Sequence, residues 1–203
     1  MTGLYSLCRM ISSVTKILGA MLTAPIRRRR SPADTPPAGR EHYEPPSLAE
    51  SPGASTLKAV DIPVAKTPAQ GWVGSDWPAP VLTGCDEPII DGAPDLRGVW
   101  RVEKGPLKGH VERVEQAGNR VVITAGGVIH DMFVDGTLQG GVNDVSEAGT
   151  QISVAARFEN GRHNLYPGNK RVVAVTRYLD GDEMVWRWGP WRNRLRRLDA
   201  PAN

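Results

Sequence analysis

The most unusual residue pattern in this 203-residue chain is a pair of related segments. Gly126-Gly127-Val128-Ile129-His130-Asp131-Met132 is followed, after Asp135-Gly136, by Gly140-Gly141-Val142-Asn143-Asp144-Val145. Each half has a double glycine, then apolar residues, then a polar residue and an aspartate. Read as two strands of a hairpin, the halves bring His130, Asp131, Asn143 and Asp144 close together across the ladder. The glycines let backbone or ligand approach closely. A ligand-binding reading takes His130, Asn143 and Asp144 as a cluster that orients a head group at a barrel mouth or floor. A catalytic reading makes His130 a general base oriented by Asp144 or Asp131. Adjacent strand residues point to opposite faces, however, so His130 and Asp131 form no dyad without a bulge. No serine or cysteine nucleophile accompanies them in a recognisable motif, and no catalytic residue is assigned. A structural reading has the aspartates capping turns and His130 satisfied at an edge.

Other chemistry-bearing residues are scattered. His110, His163 and Tyr166 are isolated, and none is expected to have a role of its own. No histidines and carboxylates recur at ligand spacing, so neither metal nor cofactor is expected. Cys8 and Cys85 are far apart, which argues against a disulfide framework and for a reducing compartment. The run Met184-Val185-Trp186-Arg187-Trp188-Gly189-Pro190-Trp191 has two readings. Its tryptophans are large core and end-cap residues, or Trp186 and Trp188 line an apolar ligand cavity.

The elements that must position these residues are strands. Asp135-Gly136, Asn160-Gly161 and Asp180-Gly181 accept a positive φ at a turn centre, and Gly118-Asn119 is a fourth candidate. Between them strands are predicted near 97–103, 109–116, 120–125, 128–134, 137–143, 151–158, 162–166, 172–179, 183–188 and 191–198. Alternation is clean in places: Ile152, Val154, Ala156 and Phe158 share one face, and Met184, Trp186 and Trp188 share another. About eight to ten short strands without intervening helices make an all-β, antiparallel, up-and-down barrel, closed so that no edge is exposed. A two-sheet sandwich is the alternative.

The domain opens Pro94-Asp95-Leu96-Arg97-Gly98-Val99-Trp100, which resembles the Gly-x-Trp first strand of lipocalins and lipocalin-like bacterial proteins. The resemblance covers about half of the chain and extends to the wider calycin group, including fatty-acid-binding and nitrobindin-like barrels. It implies that Gly98 and Trp100 close one barrel end and that an arginine near the last strand stacks across the tryptophan. Arg192, Arg194, Arg196 and Arg197 are available, with Arg194 and Arg196 taken for the role. The barrel is shorter than a typical lipocalin, and no C-terminal helix is expected after it. A haem site of the nitrobindin type is disfavoured, because no histidine follows His163.

The rest of the chain divides by composition. Residues 31–94 hold 12 of the 17 prolines and nine acids against three bases. Residues 31–70 read as a disordered or polyproline-like linker, reaching on the order of 120 Å at about 3.1 Å per residue. Residues 71–94 are too apolar for a free linker and should lie irregularly on the barrel, anchored by Trp72 and Trp77 or using them as a lid. Residues 1–30 carry Arg9, Lys16 and Arg27, Arg28, Arg29 and Arg30 and no acid. Leu4, Leu7, Ile11, Val14, Leu18 and Met21 fall on one side of a helix that Pro25 ends. This amphipathic head suits a membrane interface, with Arg27–Arg30 on anionic headgroups. A spanning helix would bury Arg9 and Lys16 at about 3 kcal/mol each. A secretory signal is opposed by the four arginines, and packing of the head on protein is a further alternative. Without interleaved aromatics the basic run predicts no specific nucleic acid.

Together these features predict a non-enzymatic, lipocalin-like barrel, residues 95–198, that binds a small hydrophobic ligand. It would be cytoplasmic, held at the inner face of a membrane by its head. The competing classes are a solid barrel that binds protein partners and a small enzyme using His130 and Asp144.

Overall fold

In the computed structural model, residues 34–36, 57–145, 151–168 and 171–198 are described. The amphipathic head and most of the proline-rich tract lie outside them. Nine antiparallel strands form one nearly closed up-and-down barrel: β1 (Gly98–Lys104), β2 (Val111–Ala117), β3 (Arg120–Ala125), β4 (Val128–Phe133), β5 (Val154–Glu159), β6 (Arg162–Pro167), β7 (Val175–Asp180), β8 (Glu183–Trp188) and β9 (Trp191–Arg197). Their order around the sheet is β4-β3-β2-β1-β9-β8-β7-β6-β5, so β1 and β9 zip the chain ends of the barrel together. Two-residue turns set the register. Asn160 and Gly161 both have positive φ (52° and 67°), the twist a tight hairpin requires. Residues 126–127 make the same kind of turn, and Gly118, Gly181 and Gly189 open the other three.

The connection from β4 to β5 differs from expectation. Residues 137–143 form no strand, so the hairpin centred on Asp135-Gly136 does not exist. Asp135 Oδ1 instead accepts from the Thr137 amide at 2.7 Å and the Thr137 hydroxyl at 2.8 Å. This local capture competes with ladder pairing. The folded connection still closes the barrel: Gly136 N–H donates to Ala156 O at 2.9 Å, and Val154 N–H donates to Val142 O at 3.0 Å. Gly141 is required there, since a Cβ on it would stand 1.8 Å from Val154 O.

Two apolar clusters lie on opposite sides of the same strands. The interior cluster includes Leu96, Trp100, Val102, Val114, Val121, Ile123, Met132, Val154, Ala156, Met184 and Leu195. The second lies outside β1–β4, where Val99, Val111, Ala117, Val122 and Ile129 meet Ala59, Trp72, Trp77, Leu82 and Cys85. A strap of chain, residues 57–96, covers that outer face, which explains why β2 is buried along its whole length. Packing therefore includes residues 57–70, which the sequence places in the linker. The reason is Arg120, fully buried on the outer face of β3. It donates to the carbonyls of Ala59 and Ile62, both at 2.6 Å, and of Pro63 at 3.0 Å, while pairing with both Asp131 oxygens at 2.8 and 2.6 Å. Proline suits such a strap, since it lacks the N–H that would need a partner.

Gly141→Ala should lower the urea midpoint without changing its slope, by about 1–3 kcal/mol of overpacking at the β4–β5 closure. An unchanged midpoint would show that the two backbones are not in contact there.

Candidate functional site

Strand alternation directs a set of polar residues into the barrel. Phe158, His163, Arg177, Trp186 and Asn193 are successive cross-strand partners on β5 to β9, forming one rung around the inner wall. Glu112 faces them from β2. Arg177 Nε and Nη2 donate to the two Glu112 oxygens, each at 2.9 Å. Three strands separate β2 from β7 in the sheet, so this bidentate pair crosses the interior. Burial would raise the Glu112 carboxyl's pKa, but the charge and hydrogen bonds of Arg177, helped by His110 and His130, hold it below the ordinary value. The Arg177 guanidinium also lies 4.8 Å over the Trp186 ring.

Around the ion pair several polar atoms have no protein partner. Both ring nitrogens of His163, Nδ1 of His130, Nε1 of Trp186 and Nδ2 of Asn193 are buried without a hydrogen bond. His163 and Asn193 are 0% exposed. The other end of the Asn193 amide is used, accepting from Leu107 N–H at 3.1 Å, which fixes which end is left over. Burial pushes the His163 imidazole down to about 3, helped by Arg177, and the His130 imidazole down to about 4 despite the nearby Asp144 and Glu112 carboxylates. Both rings are therefore neutral at pH 7. Native interiors leave few such atoms unpaired, and here five of them belong to inward-facing residues of the barrel wall.

The two barrel ends differ. At one, Trp100 Nε1 donates to Leu96 O at 2.8 Å and Gln116 ties Leu96 and Pro94, sealing the floor. The arginine over Trp100 is Arg197, at 4.7 Å. Arg194 and Arg196 do not take that position. Leu195 is buried inside and Arg197 is registered with Trp100, so their neighbours point outward. Arg194 binds Glu183 and Asp180 at 2.6 and 2.7 Å, and Arg196 lies 3.8 Å from Glu103. At the other end an aromatic rim forms: His110 is 5.4 Å from Trp186, Trp186 stacks on Trp188 at 6.4 Å, and Trp188 meets Trp191 at 5.4 Å. Asp34, from the proline-rich tract, is buried there with Oδ1 2.8 Å from His110 Nδ1.

The residues singled out by the glycine-flanked motif are thus dispersed. His130 faces inward on β4, whereas Asp131 faces outward to Arg120. Asp144 remains within electrostatic range of His130 but binds the Thr67 hydroxyl at 2.6 Å and the Val145 amide at 2.7 Å. Asn143 is exposed and donates to Leu138 O at 2.8 Å, away from the barrel interior. With 137–143 not a strand, the ladder that would have gathered them is missing. Trp186 and Trp188 do face the interior and rim. Glu112, Arg177, His163 and Asn193 are additions that the sequence reading did not make. The signal for Glu112 was present: Val111-Glu112-Arg113-Val114-Glu115-Gln116 carries polar side chains on both faces of a strand, so at least some must be buried. Among the described residues no group of histidines, cysteines and carboxylates could hold a metal ion, and no helix is long and apolar enough to cross a membrane.

The neutral histidines predict acid sensitivity. In the unfolded chain both titrate near 6.5, whereas folded they stay neutral to about 4 and about 3. Between pH 6.5 and 4 the unfolded state binds more protons, so stability falls as pH falls. Glu112, depressed when folded, loses its contribution only as pH drops from its unfolded value through its folded one. The urea midpoint should therefore decline from pH 7 to 5, and His163→Leu should flatten that decline. An equally steep decline in the variant would contradict the assignment. Compared with known proteins, the chain matches no protein-family model and no curated protein sequence.

Proposed function

We propose that this protein is a lipocalin-like binder that holds a small amphipathic molecule inside its barrel, at a membrane surface, without catalysing a reaction. The observation that carries this reading is a pair of fully buried side chains beside an aromatic rim: His163, with neither ring nitrogen partnered, and Asn193, with Nδ2 unpartnered. A ligand with its body against Trp186, Trp188, Phe158 and Leu165 and its polar end at His163 and Asn193 would satisfy them. Trp100 under Arg197, after Gly98, supports the lipocalin-like reading, because it reproduces the floor that the Gly-x-Trp resemblance implies. The membrane part rests on the amphipathic pattern of residues 1–30. Asp34 adds to it: only three residues of chain separate the Arg27–Arg30 run from a residue that lies beside His110 at the rim. A tether there would turn the aromatic rim toward the bilayer, where an apolar ligand partitions.

Two measurements test the two parts. Native mass spectrometry of the full chain, purified from its own host before and after organic extraction, should show a discrete extractable mass. Trp186→Ala should then weaken rebinding by about tenfold or more, as loss of a buried aromatic anchor does. A bare chain that also binds no fluorescent amphiphile would indicate a solid barrel acting through protein partners. Separately, deleting residues 1–30 should move the protein from the membrane to the soluble fraction, and continued sedimentation with membranes would overturn the tether.

A further inference from the structure

We infer that the ligand of this interior, resting on the binding reading above, is an uncharged planar molecule of the amide or lactam class, recognised by the rung His163–Arg177–Trp186–Asn193. The argument is one of charge and of donor inventory. Each ionic group near the rung is already matched. Arg177 is answered by Glu112 through two hydrogen bonds, while Asp34 stands outside the rung at the rim, its Oδ1 2.8 Å from His110 Nδ1. Asp144 is engaged by a hydroxyl and an amide. Arg197 stands at the sealed end over Trp100, with Asp95 in electrostatic range. The His163 and His130 rings are neutral at pH 7. At the rung itself no unmatched charge remains to meet a carboxylate, phosphate or ammonium, and an unpaired ion brought there keeps its full desolvation cost.

What the rung does offer is hydrogen bonding without charge. Trp186 Nε1 and Asn193 Nδ2 are donors only, and a neutral imidazole such as His163 presents one N–H and one lone pair. The complement is at least one acceptor oxygen and one N–H on the same small framework, which is the edge of an amide. The walls argue for flatness. Trp186 and Trp188 stack nearly parallel, with 15° between their planes, and Phe158 lies against His163 at 5.5 Å. Flat rings stack against such faces.

Calorimetry of the full chain at pH 7 with four matched probes tests this: 2-naphthamide, 2-naphthoate, 2-naphthylmethylammonium and naphthalene. The amide should bind, the two ions about 100-fold more weakly, and naphthalene more weakly than the amide by about tenfold. Trp186→Phe, which keeps a ring but removes the N–H, should shrink the amide's advantage over naphthalene. If either ion binds within about threefold of the amide, or naphthalene equals it, the ligand class is wrong while binding inside the barrel stands. The one-ring series benzamide, benzoate, benzylammonium and benzene covers a smaller interior. Silence across both series overturns the ligand class and the binding reading together.

Discussion

A carboxylate from β2 and a guanidinium from β7 meet inside this barrel, and the arrangement of the interior follows from that meeting. Glu112 and Arg177 lie on walls that the sheet separates by three strands, so their pairing constrains the barrel's cross-section as well as its charge. Two ions taken out of water cost several kcal/mol each after relaxation. That cost is offset only by good geometry, which the bidentate contact and the Trp186 face provide. An apolar pair of similar volume would commonly be as stable. The pair is better understood as a device of specificity: its guanidinium lies over Trp186, its two charges cancel at the centre of the barrel, and the neighbouring polar atoms are left without protein partners.

The barrel is built asymmetrically around this centre. Strands β1–β4 are covered on both faces, inside by the barrel core and outside by the strap of residues 57–96. Outside strands β5–β9 the surface carries polar pairs such as Arg194 with Glu183 and Arg162 over Tyr178, with Ala155, Asn164, Tyr166 and Val185 buried among them. The covered half carries a second buried ion pair, Arg120–Asp131, whose remaining donors hold strap carbonyls. Glu115 repeats the device by accepting the Leu82 amide at 2.8 Å, and burial raises the pKa of its carboxyl. One wall is thereby stiffened from outside, while the rung that carries the unpaired polar atoms lies on the other.

The rim and the floor divide the remaining work. The floor is finished by protein groups alone, since Trp100, Leu96, Gln116 and Pro94 satisfy one another. The rim is aromatic, and it is the end where the proline-rich tract returns through Asp34. This polarity gives the ligand-binding reading a direction, from rim to rung.

The all-β meander was legible in the sequence because its signals are local. Asn160-Gly161 dictates a hairpin through backbone sterics, and the alternation of Ile152 to Phe158 or Met184 to Trp188 dictates which side chains share a face. Asp135-Gly136 misled for a related reason: the dipeptide permits a tight turn, but a carboxylate two residues before an available amide captures it first. That an arginine of the last strand lies over Trp100 was implied by the lipocalin resemblance, which pointed to Arg194 and Arg196, and only the β1–β9 register puts Arg197 there. The polar centre was beyond local reading altogether. Glu112 and Arg177 are 65 residues apart, and although polar residues on both faces of Val111–Gln116 signal that some are buried, nothing in either neighbourhood says that these two meet. Sequence by itself determined strands, turns and facing, which depend on neighbours along the chain. Tertiary structure decided which charges meet and which polar atoms go without partners, because those depend on closing the sheet.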